Sequence, residues 1–426
     1  MLLKRFYAKF KQARYRVNGG PTMLKKNALL LLLACAAAMA HGADLSVPYL
    51  GLLTNGRLNA AGAFELSTRV SIDLLFEGGT KFDAWFKLGF RNAAVENYLS
   101  AAESLTPLPE SPSLEDMASS ISNLEEATGL SLRTVAIQIK ELFGTPLQLA
   151  TFVGHMDTIG SGEDFTRYFG TGDFATKFRG YMYYPYGIGK DPPNGDGVDA
   201  SRRYEGLHEI YGTGMRFSWP MERIMPFLYI YQDSWLGAGS WSVDARALLN
   251  TDRVKLEAFL GGSFPVSTLG VYRGGLLFFF ETGEIGNFYA QIGIPRWDPL
   301  EAFSMDMLSF LFEPRIKIGT GELVLSLFFH PKWYLQKETD ESGAVEFRFD
   351  LGFGKVEEGS IRGGAEVELS FDPNLPTASL SLDAAPYLQT IRNGVRWDLR
   401  LAIRAFPFPS PWYGMFQPTL GVSTAF

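Results

Sequence analysis

The sequence predicts an all-β protein, a single transmembrane antiparallel β-barrel of about 16–18 strands with a small helical insertion. Many segments alternate between apolar and charged residues. Several of them exceed ten residues, although strands of soluble sheets average about five or six. Tight turns alternate with longer connections along the chain, as they do in such barrels. The composition agrees, because 14% of the 426 residues are aromatic and 45 are Gly, which suits strands and turns.

The first 40 residues resemble a targeting segment rather than part of the barrel. Lys25 and Lys26 precede an apolar run, residues 28–40, that ends in Ala-Met-Ala. A run of 13 residues is too short for a spanning helix, which needs about 20, and it fits a secretory signal peptide. We therefore expect residues 1–40 to be an N-terminal extension and cleavable signal peptide, cut after Ala40. Residues 41–426 then form one barrel domain.

The single cysteine leaves a second processing route open. Leu32 to Cys35 resembles a lipobox, which would make Cys35 a lipidated N-terminus. The apolar residues that follow Cys35 differ from the polar tether usual after a lipid anchor, so the signal peptide is favoured. One cysteine also excludes a disulfide framework and a cysteine-based zinc site.

The charge is unevenly distributed. The net charge is −7, yet residues 1–40 carry eight basic residues and no acidic one. Removing that segment leaves 31 basic residues against 46 acidic ones. Because nucleic-acid binding needs a basic surface, we expect no nucleic-acid partner.

The clearest early strand runs from Phe64 to Glu77. Its apolar face is broken only at Thr68, and its other face is mostly polar. A turn at residues 77–80 leads into a second alternating strand, residues 82–91. We interpret the charged faces of these strands as lining the barrel lumen. The candidates there are Glu65, Arg69, Asp73, Asp83, Lys87 and Arg91.

Two regions interrupt the alternation. Residues 93–130 are rich in Ser, Pro and Glu and then show apolar residues at helical spacing, which predicts a helical insertion. Residues 156–206 form a long, Gly-rich and aromatic loop region in which the order of hairpins cannot be read. The insertion could cap the barrel, enter its lumen, or pack on its own loop at the surface.

From Tyr211 onward, strands and turns follow one another without a break. Charged residues occupy one face of each strand, for example Lys255 and Glu257, or Glu313 and Arg315. In lipid every backbone polar group must be paired within the protein, which a closed barrel achieves. We therefore expect apolar faces against lipid and charged faces toward a water-filled lumen, since barrels of this size hold an aqueous channel.

The last two strands close the predicted barrel. Residues 395–405 alternate strictly, and the chain ends in a second alternating strand with Phe426 as the final residue. We expect this terminal strand to close against Phe64–Glu77. The charged face of the penultimate strand adds four candidates for the lumen: Arg396, Asp398, Arg400 and Arg404.

The arginines of this strand allow two interpretations. They could form a basic ladder that attracts anions through a constriction. They could equally be ordinary lumen lining, neutralised by Asp398 and by carboxylates such as Asp73 or Glu65. The second interpretation is favoured.

A strand that runs to a terminal Phe resembles the C-terminal sorting signal of bacterial outer-membrane β-barrels. The residues that carry this resemblance are Phe416, Leu420, Val422 and Phe426. Across residues 45–426 the pattern resembles bacterial porin-type barrels. The resemblance implies an outer-membrane location at the cell surface, surrounding outer-membrane lipid, and recognition of the last strand by the barrel assembly machinery. It is compatible with an oligomer.

No catalytic or metal-binding motif stands out. Four His residues are scattered without metal-ligand spacing, and no P-loop, G-x-S-x-G or G-x-G-x-x-G pattern occurs. We therefore expect no enzymatic activity and no cofactor. The favoured function is a porin-like channel for passive diffusion of small hydrophilic solutes. The alternatives are a transporter for hydrophobic substrates, plugged by residues 45–60 or 93–130, and a structural or adhesive barrel that binds through residues 156–206.

Overall fold

The computed structural model describes most of the chain from residue 44 onward. The residues predicted as signal peptide and most of the predicted helical insertion lie outside the described part. The described ranges are 44–58, 64–78, 82–92, 130–172, 174, 176–178, 206–236, 239–267, 269–334, 337–338, 342–375, 379–410 and 412–424.

Strands make up nearly all of the regular structure. One helix is described, α1 (Glu163–Phe169), with short 3-10 turns at Leu142–Gly144, Met305–Met307 and Trp412–Met415. The strands are β1 Asp44–Leu58, β2 Phe64–Gly78, β3 Phe82–Asn92, β4 Leu130–Ile139, β5 Gln148–Ile159, β6 His208–Ser218, β7 Ile224–Asp233, β8 Trp241–Asn250, β9 Val254–Phe264, β10 Val271–Glu281, β11 Gly286–Trp297, β12 Ser309–Ile318, β13 Gly321–Phe329, β14 Trp333–Tyr334, β15 Lys337–Glu338, β16 Val345–Gly354, β17 Ile361–Phe371, β18 Leu380–Arg392, β19 Val395–Phe406 and β20 Phe416–Thr424.

Eighteen of these strands form one antiparallel sheet that closes on itself. Each strand pairs with its neighbour in sequence, except that β13 pairs with β16 across the small β14–β15 hairpin. The circle is completed by β1 and β20, from Leu50 opposite Thr424 to Asn55 opposite Thr419. The prediction of a transmembrane antiparallel barrel of about 16–18 strands is confirmed.

The strand that closes the barrel is not the predicted one. We expected Phe64–Glu77 to meet the terminal strand, but β1 lies between them and pairs with both β2 and β20. The pattern of β1 is hard to recognise because Pro48 and Gly51 interrupt it, and the pairing is irregular between Ser46 and Tyr49. Residues of this segment therefore belong to the wall, which contradicts the idea that residues 45–60 form a plug.

The burial pattern is inverted relative to a soluble protein. On β8, Ser242, Asp244 and Arg246 are buried inside the barrel, whereas Trp241 and Val243 are exposed on its outer surface. Because an apolar outer surface with a polar interior is stable only in lipid, the sheet spans a membrane. The same inversion holds on β19, where Asp398 and Arg400 are buried and Trp397, Leu399 and Leu401 are exposed.

The two ends of the barrel differ in the length of their connections. The turns after β6, β8, β10, β12 and β18 span two to five residues, and the chain enters β1 and leaves β20 at this end. Longer connections follow β5, β11, β13 and β19 at the opposite end. We call these the turn end and the loop end; in outer-membrane barrels the short turns face the periplasm. Among the described residues, no helix has the length and hydropathy needed to span a membrane.

The lipid-facing side of β19 provides a test of the inverted pattern. We expect Leu401→Arg, in the middle of the strand, to destabilise the barrel by about 2–4 kcal/mol. The matched change Val395→Arg, at the turn end of the same outer face, should cost only about 0–1 kcal/mol because the arginine there reaches the membrane interface. Guanidinium unfolding in lipid vesicles measures both; equal costs would contradict the assigned orientation.

Candidate functional site: the barrel interior

The hairpin formed by β5 and β6 bends into the barrel at its loop end. A register shift between His155 and Asp157 marks the bend. Beyond it, the Gly160 N–H donates to the Glu257 carboxylate of β9 at 2.7 Å. The Gly160 carbonyl accepts hydrogen bonds from the Tyr289 hydroxyl at 3.1 Å and the Gln291 amide at 2.7 Å, both on β11. The tip of this hairpin therefore lies across the inner faces of β9 to β11.

Leu207 secures the returning strand of the hairpin. It is buried against Gly275 of β10 and Gly293 of β11, which are directly opposite each other in the sheet. A Cβ atom at Gly275 would lie 2.6 Å from a Leu207 methyl, and one at Gly293 would lie 2.8 Å from it. These glycines are required because larger residues would fill the socket that the leucine occupies.

The chain after this tip continues inside the barrel as what we call the inward segment, the described residues 160–172, 174 and 176–178. Helix α1 begins after Gly162 and ends at Gly170, both with positive φ. Its first turn carries Glu163 and Asp164, and negative charges at this position interact favourably with the positive end of the helix dipole. A glycine after the last turn is the usual way to end a helix.

The charged contacts of α1 attach it to the wall. Asp164 accepts a hydrogen bond from Arg246 of β8, and the same guanidinium binds Glu257 at 2.8 Å. Burial raises the pKa of the Asp164 carboxyl above its usual range, and Arg246 opposes that shift. Burial likewise raises the pKa of Tyr168, whose protonated hydroxyl accepts a hydrogen bond from Arg216 at 2.9 Å.

A second ionic contact holds the base of the hairpin. Arg216 of β6 is buried and binds Asp157 at 3.1 Å, while Tyr229 of β7 donates to the same carboxylate at 2.7 Å. A buried guanidinium without a carboxylate would be strongly destabilising. Arg216 therefore favours the bend in β5, which places Asp157 beside it.

Aromatic side chains fill the space between the inward segment and the wall. The ring of Phe165 meets that of Phe174 edge-on, with 4.9 Å between ring centroids, and Phe174 stacks on Phe279 of β10 with 4.7 Å between centroids. Phe178 lies 5.1 Å from Phe328 of β13. The resulting apolar cluster reaches from Trp85 of β3 round to β13.

Glu313 of β12 is the main anchor of the far end of the segment. Its carboxylate accepts hydrogen bonds from the Thr176 hydroxyl at 2.7 Å and from the backbone N–H groups of Lys177 at 2.9 Å and Phe178 at 3.1 Å. Arg315 and Ser326 also donate to it. One buried carboxylate therefore joins the segment to β12 and β13.

The expectation of a wide, water-filled lumen is wrong for this side of the barrel. The inward segment and its aromatic cluster cover Trp85 of β3 and described inner residues of β4 to β13. The residues responsible belong to the region 156–206, which the sequence predicted only as a long loop region. Residues 93–129, the other candidate plug, lie outside the described part of the chain.

The inner faces of β16–β19 form a charged part of the wall. Arg400 binds Glu366 at 2.7 Å and Asp398 at 3.0 Å. Arg396 lies 3.8 Å from Asp398, and Arg404 lies 3.8 Å from Asp383 of β18. These arginines are thus paired within β17–β19.

The other residues singled out from the sequence are placed as follows. Glu65, Arg69, Asp73, Asp83, Lys87 and Arg91 lie on β2 and β3, where the backbone is described but these side chains are not. Phe416 and Leu420 are exposed on the outer surface of β20, and Val422 is half-buried on the same strand. Phe426 lies outside the described residues.

Sequence reasoning missed the inward segment because its pattern is neither strictly alternating nor a long helix. Two signals could have pointed to it. Gly160, Gly162 and Gly170 bracket a short stretch with acidic residues at its start, and Phe residues recur at 165, 169, 174 and 178. A loop with so many large apolar residues must bury them somewhere. Among the described residues, no group of three or more His, Cys, Asp or Glu side chains is placed to hold a metal ion.

The closed sheet, the apolar outer surface and the polar interior define a transmembrane β-barrel of the outer-membrane, porin-like type. No family model and no curated protein matches the sequence.

Two kinds of solved structure resemble the chain. A mutant of the porin of Rhodopseudomonas blastica shares 10% identity, with 90% of this chain and 100% of that chain covered and a TM-score of 0.42. The second is Wzi of Escherichia coli, described as an outer-membrane protein involved in group 1 capsule assembly and as a carbohydrate-binding β-barrel. It shares 10% identity, with 94% of this chain and 89% of that chain covered and a TM-score of 0.44.

The anchor at Glu313 can be tested by a neutral substitution. We expect Glu313→Gln to loosen residues 176–178, because a glutamine has one acceptor oxygen and turns N–H donors toward the donors of the segment. Hydrogen bonds to a charged group contribute about 1.5–3 kcal/mol, so amide exchange at Lys177 and Phe178 should accelerate at least about tenfold. Glu322→Gln is the matched control, since Glu322 contacts the segment through the Lys177 side chain, at 3.8 Å, and has no backbone contact with residues 176–178 comparable to that of Glu313 among the described hydrogen bonds. Equal exchange in both variants would contradict the anchor.

Proposed function

We propose that the protein is a porin-like outer-membrane barrel that passes small hydrophilic solutes through a narrow, off-centre passage. One side of this passage is the inward segment and the other is the charged wall of β16–β19. The observation that carries the proposal is a row of charged side chains where the two sides meet. Lys177 of the segment, Glu322 of β13, Arg362 of β17 and Asp350 of β16 lie in a chain of contacts of 3.7–3.8 Å.

These side chains are neither fully buried nor fully exposed. Glu322 is 25% exposed, Arg362 15% and Asp350 17%. Because ion pairs with good access to water need no full desolvation, the row is compatible with a hydrated path beside it. The packed cluster on β3–β13 is, in contrast, buried.

The charged wall also disfavours a transporter for hydrophobic substrates. A path for apolar molecules would need an apolar lining, whereas the inner residues of β16–β19 include Arg348, Glu368, Asp383 and Arg400. An adhesive or structural barrel is the alternative that a closed passage would favour.

Planar-bilayer recordings of the folded protein test the proposal. We expect discrete conductance steps that are several-fold smaller than those of an open barrel of the same strand number, because the inward segment occupies much of the cross-section. If the folded protein produced no conductance, the channel function would be refuted, and the adhesive or structural alternative would remain.

The socket of Leu207 provides a way to widen the passage. We expect Leu207→Ala to raise conductance, because truncating a buried leucine costs about 2–5 kcal/mol and weakens the docking of the hairpin on β10 and β11. Leu260→Ala is the matched control: Leu260 is 69% exposed on the lipid-facing side of β9. The same conductance in both variants and in the unaltered protein would show that the hairpin does not restrict the passage.

A further inference from the structure

Several ion pairs of the barrel interior are asymmetric in their exposure to water. Arg167 of α1 has a side chain that is 47% exposed, whereas its partner Asp157 is 1% exposed. Arg404 and Asp383 are 53% and 4% exposed, and Arg396 and Asp398 are 23% and 1% exposed. In each pair the base reaches toward water and the acid is held against the wall.

The inward segment shows the same asymmetry at its other edge. Lys177 is 41% exposed and its partner Glu322 is 25% exposed. If ion pairs alone were counted, the interior would be electrically neutral. A solute in the passage, however, interacts most strongly with the charged groups that project into the water. The side of the passage formed by the inward segment therefore presents Arg167 and Lys177.

The exposed bases are distributed along the depth of the barrel. Arg404 lies at the loop end of β19 and Arg396 at its turn end. Arg167 contacts Asp157 of β5, and Lys177 contacts Glu322, the second residue of β13 at the turn end. A solute that enters at the loop end therefore meets Arg404 first, and Lys177 and Arg396 near the turn end.

In other pairs the acid is the more exposed partner, and two of these pairs belong to the row beside the passage: Glu322 is 25% exposed and Asp350 17%, beside Arg362 at 15%. Asp164 is 12% exposed beside buried Arg246, and Glu366 is 12% exposed beside Arg400 at 4%. Glu281, 48% exposed beside Lys255, lies at the last residue of β10 at the turn end. Glu301, 52% exposed beside Lys332 at 30%, lies in the connection after β11 at the loop end. Among the described side chains, the excess of exposed bases therefore rests on Arg167, Lys177, Arg396 and Arg404.

From this asymmetry we propose that the passage selects small anionic solutes, such as inorganic or organic anions, over cations of similar size. The proposal rests on the porin-like passage proposed above. Exposed arginine and lysine side chains are the groups that favour anions in pores. The acids that pair with Arg167, Arg396 and Arg404 are 1–4% exposed, and Glu322 is less exposed than its partner Lys177.

Reversal potentials in a KCl gradient across a planar bilayer test this proposal. Near 0.1 M salt the Debye length is about 10 Å, so the exposed bases act across the passage, whereas at 1 M it is about 3 Å. We expect chloride to permeate several-fold better than potassium at the lower concentration and the preference to fall toward unity at the higher one.

The double variant Lys177→Gln with Arg404→Gln identifies the groups responsible. It removes two exposed charges while leaving the backbone hydrogen bonds of residue 177 to Glu313 in place, so the segment should stay docked. We expect its chloride preference to fall but not to vanish, because Arg167 and Arg396 remain. Lys355→Gln is the matched control, because Lys355 is 70% exposed in the turn after β16, outside the passage.

The outcomes separate the two proposals. Conducting channels that prefer potassium, or that show no preference at low salt, would overturn anion selection while the passage itself stands. An anion preference that is unchanged in the double variant would overturn the role of these two bases. Silent bilayers would overturn the passage and anion selection together.

Discussion

Closure of the sheet is the constraint on which everything else depends. In hydrocarbon an unpaired backbone group costs several kcal/mol, so the first and last strands must meet. The pairing of β1 with β20 meets that need. Closure places one face of all eighteen barrel strands inside, where the charged side chains must find partners or water.

The interior satisfies its charges in two ways. On one side, carboxylates of the bent hairpin and of α1 reach the buried guanidinium groups of Arg216 and Arg246. On the other side, acids and bases of neighbouring strands pair directly, as Arg348 does with Glu368 at 2.7 Å. The first solution brings a peptide segment into the lumen and narrows it; the second leaves a polar wall. The passage is therefore restricted because the carboxylates that pair with Arg216 and Arg246 lie on the bent hairpin and on α1, inside the lumen.

The sequence predicts the wall better than the contents of the barrel. Alternation identifies β8, β12 and β19 and assigns Asp244, Glu313 and Arg400 to the inner face, because side-chain direction follows directly from the period of two. It fails for β1, where a proline and a glycine weaken the pattern. It also fails for the inward segment, because its position depends on contacts between residues far apart in sequence, such as Thr176 with Glu313. Periodicity carries no information about such contacts.

Disulfide trapping tests most directly whether the inward segment lies inside the barrel. Thr176 and Ser326 both donate hydrogen bonds to the same Glu313 oxygen, at 2.7 and 3.0 Å, so cysteines at these two positions should cross-link in the membrane-embedded protein. Cysteines at 176 and at Leu327, the next residue of β13 and exposed on its outer face, should not. Cross-linking to 327, or to neither position, would contradict the account.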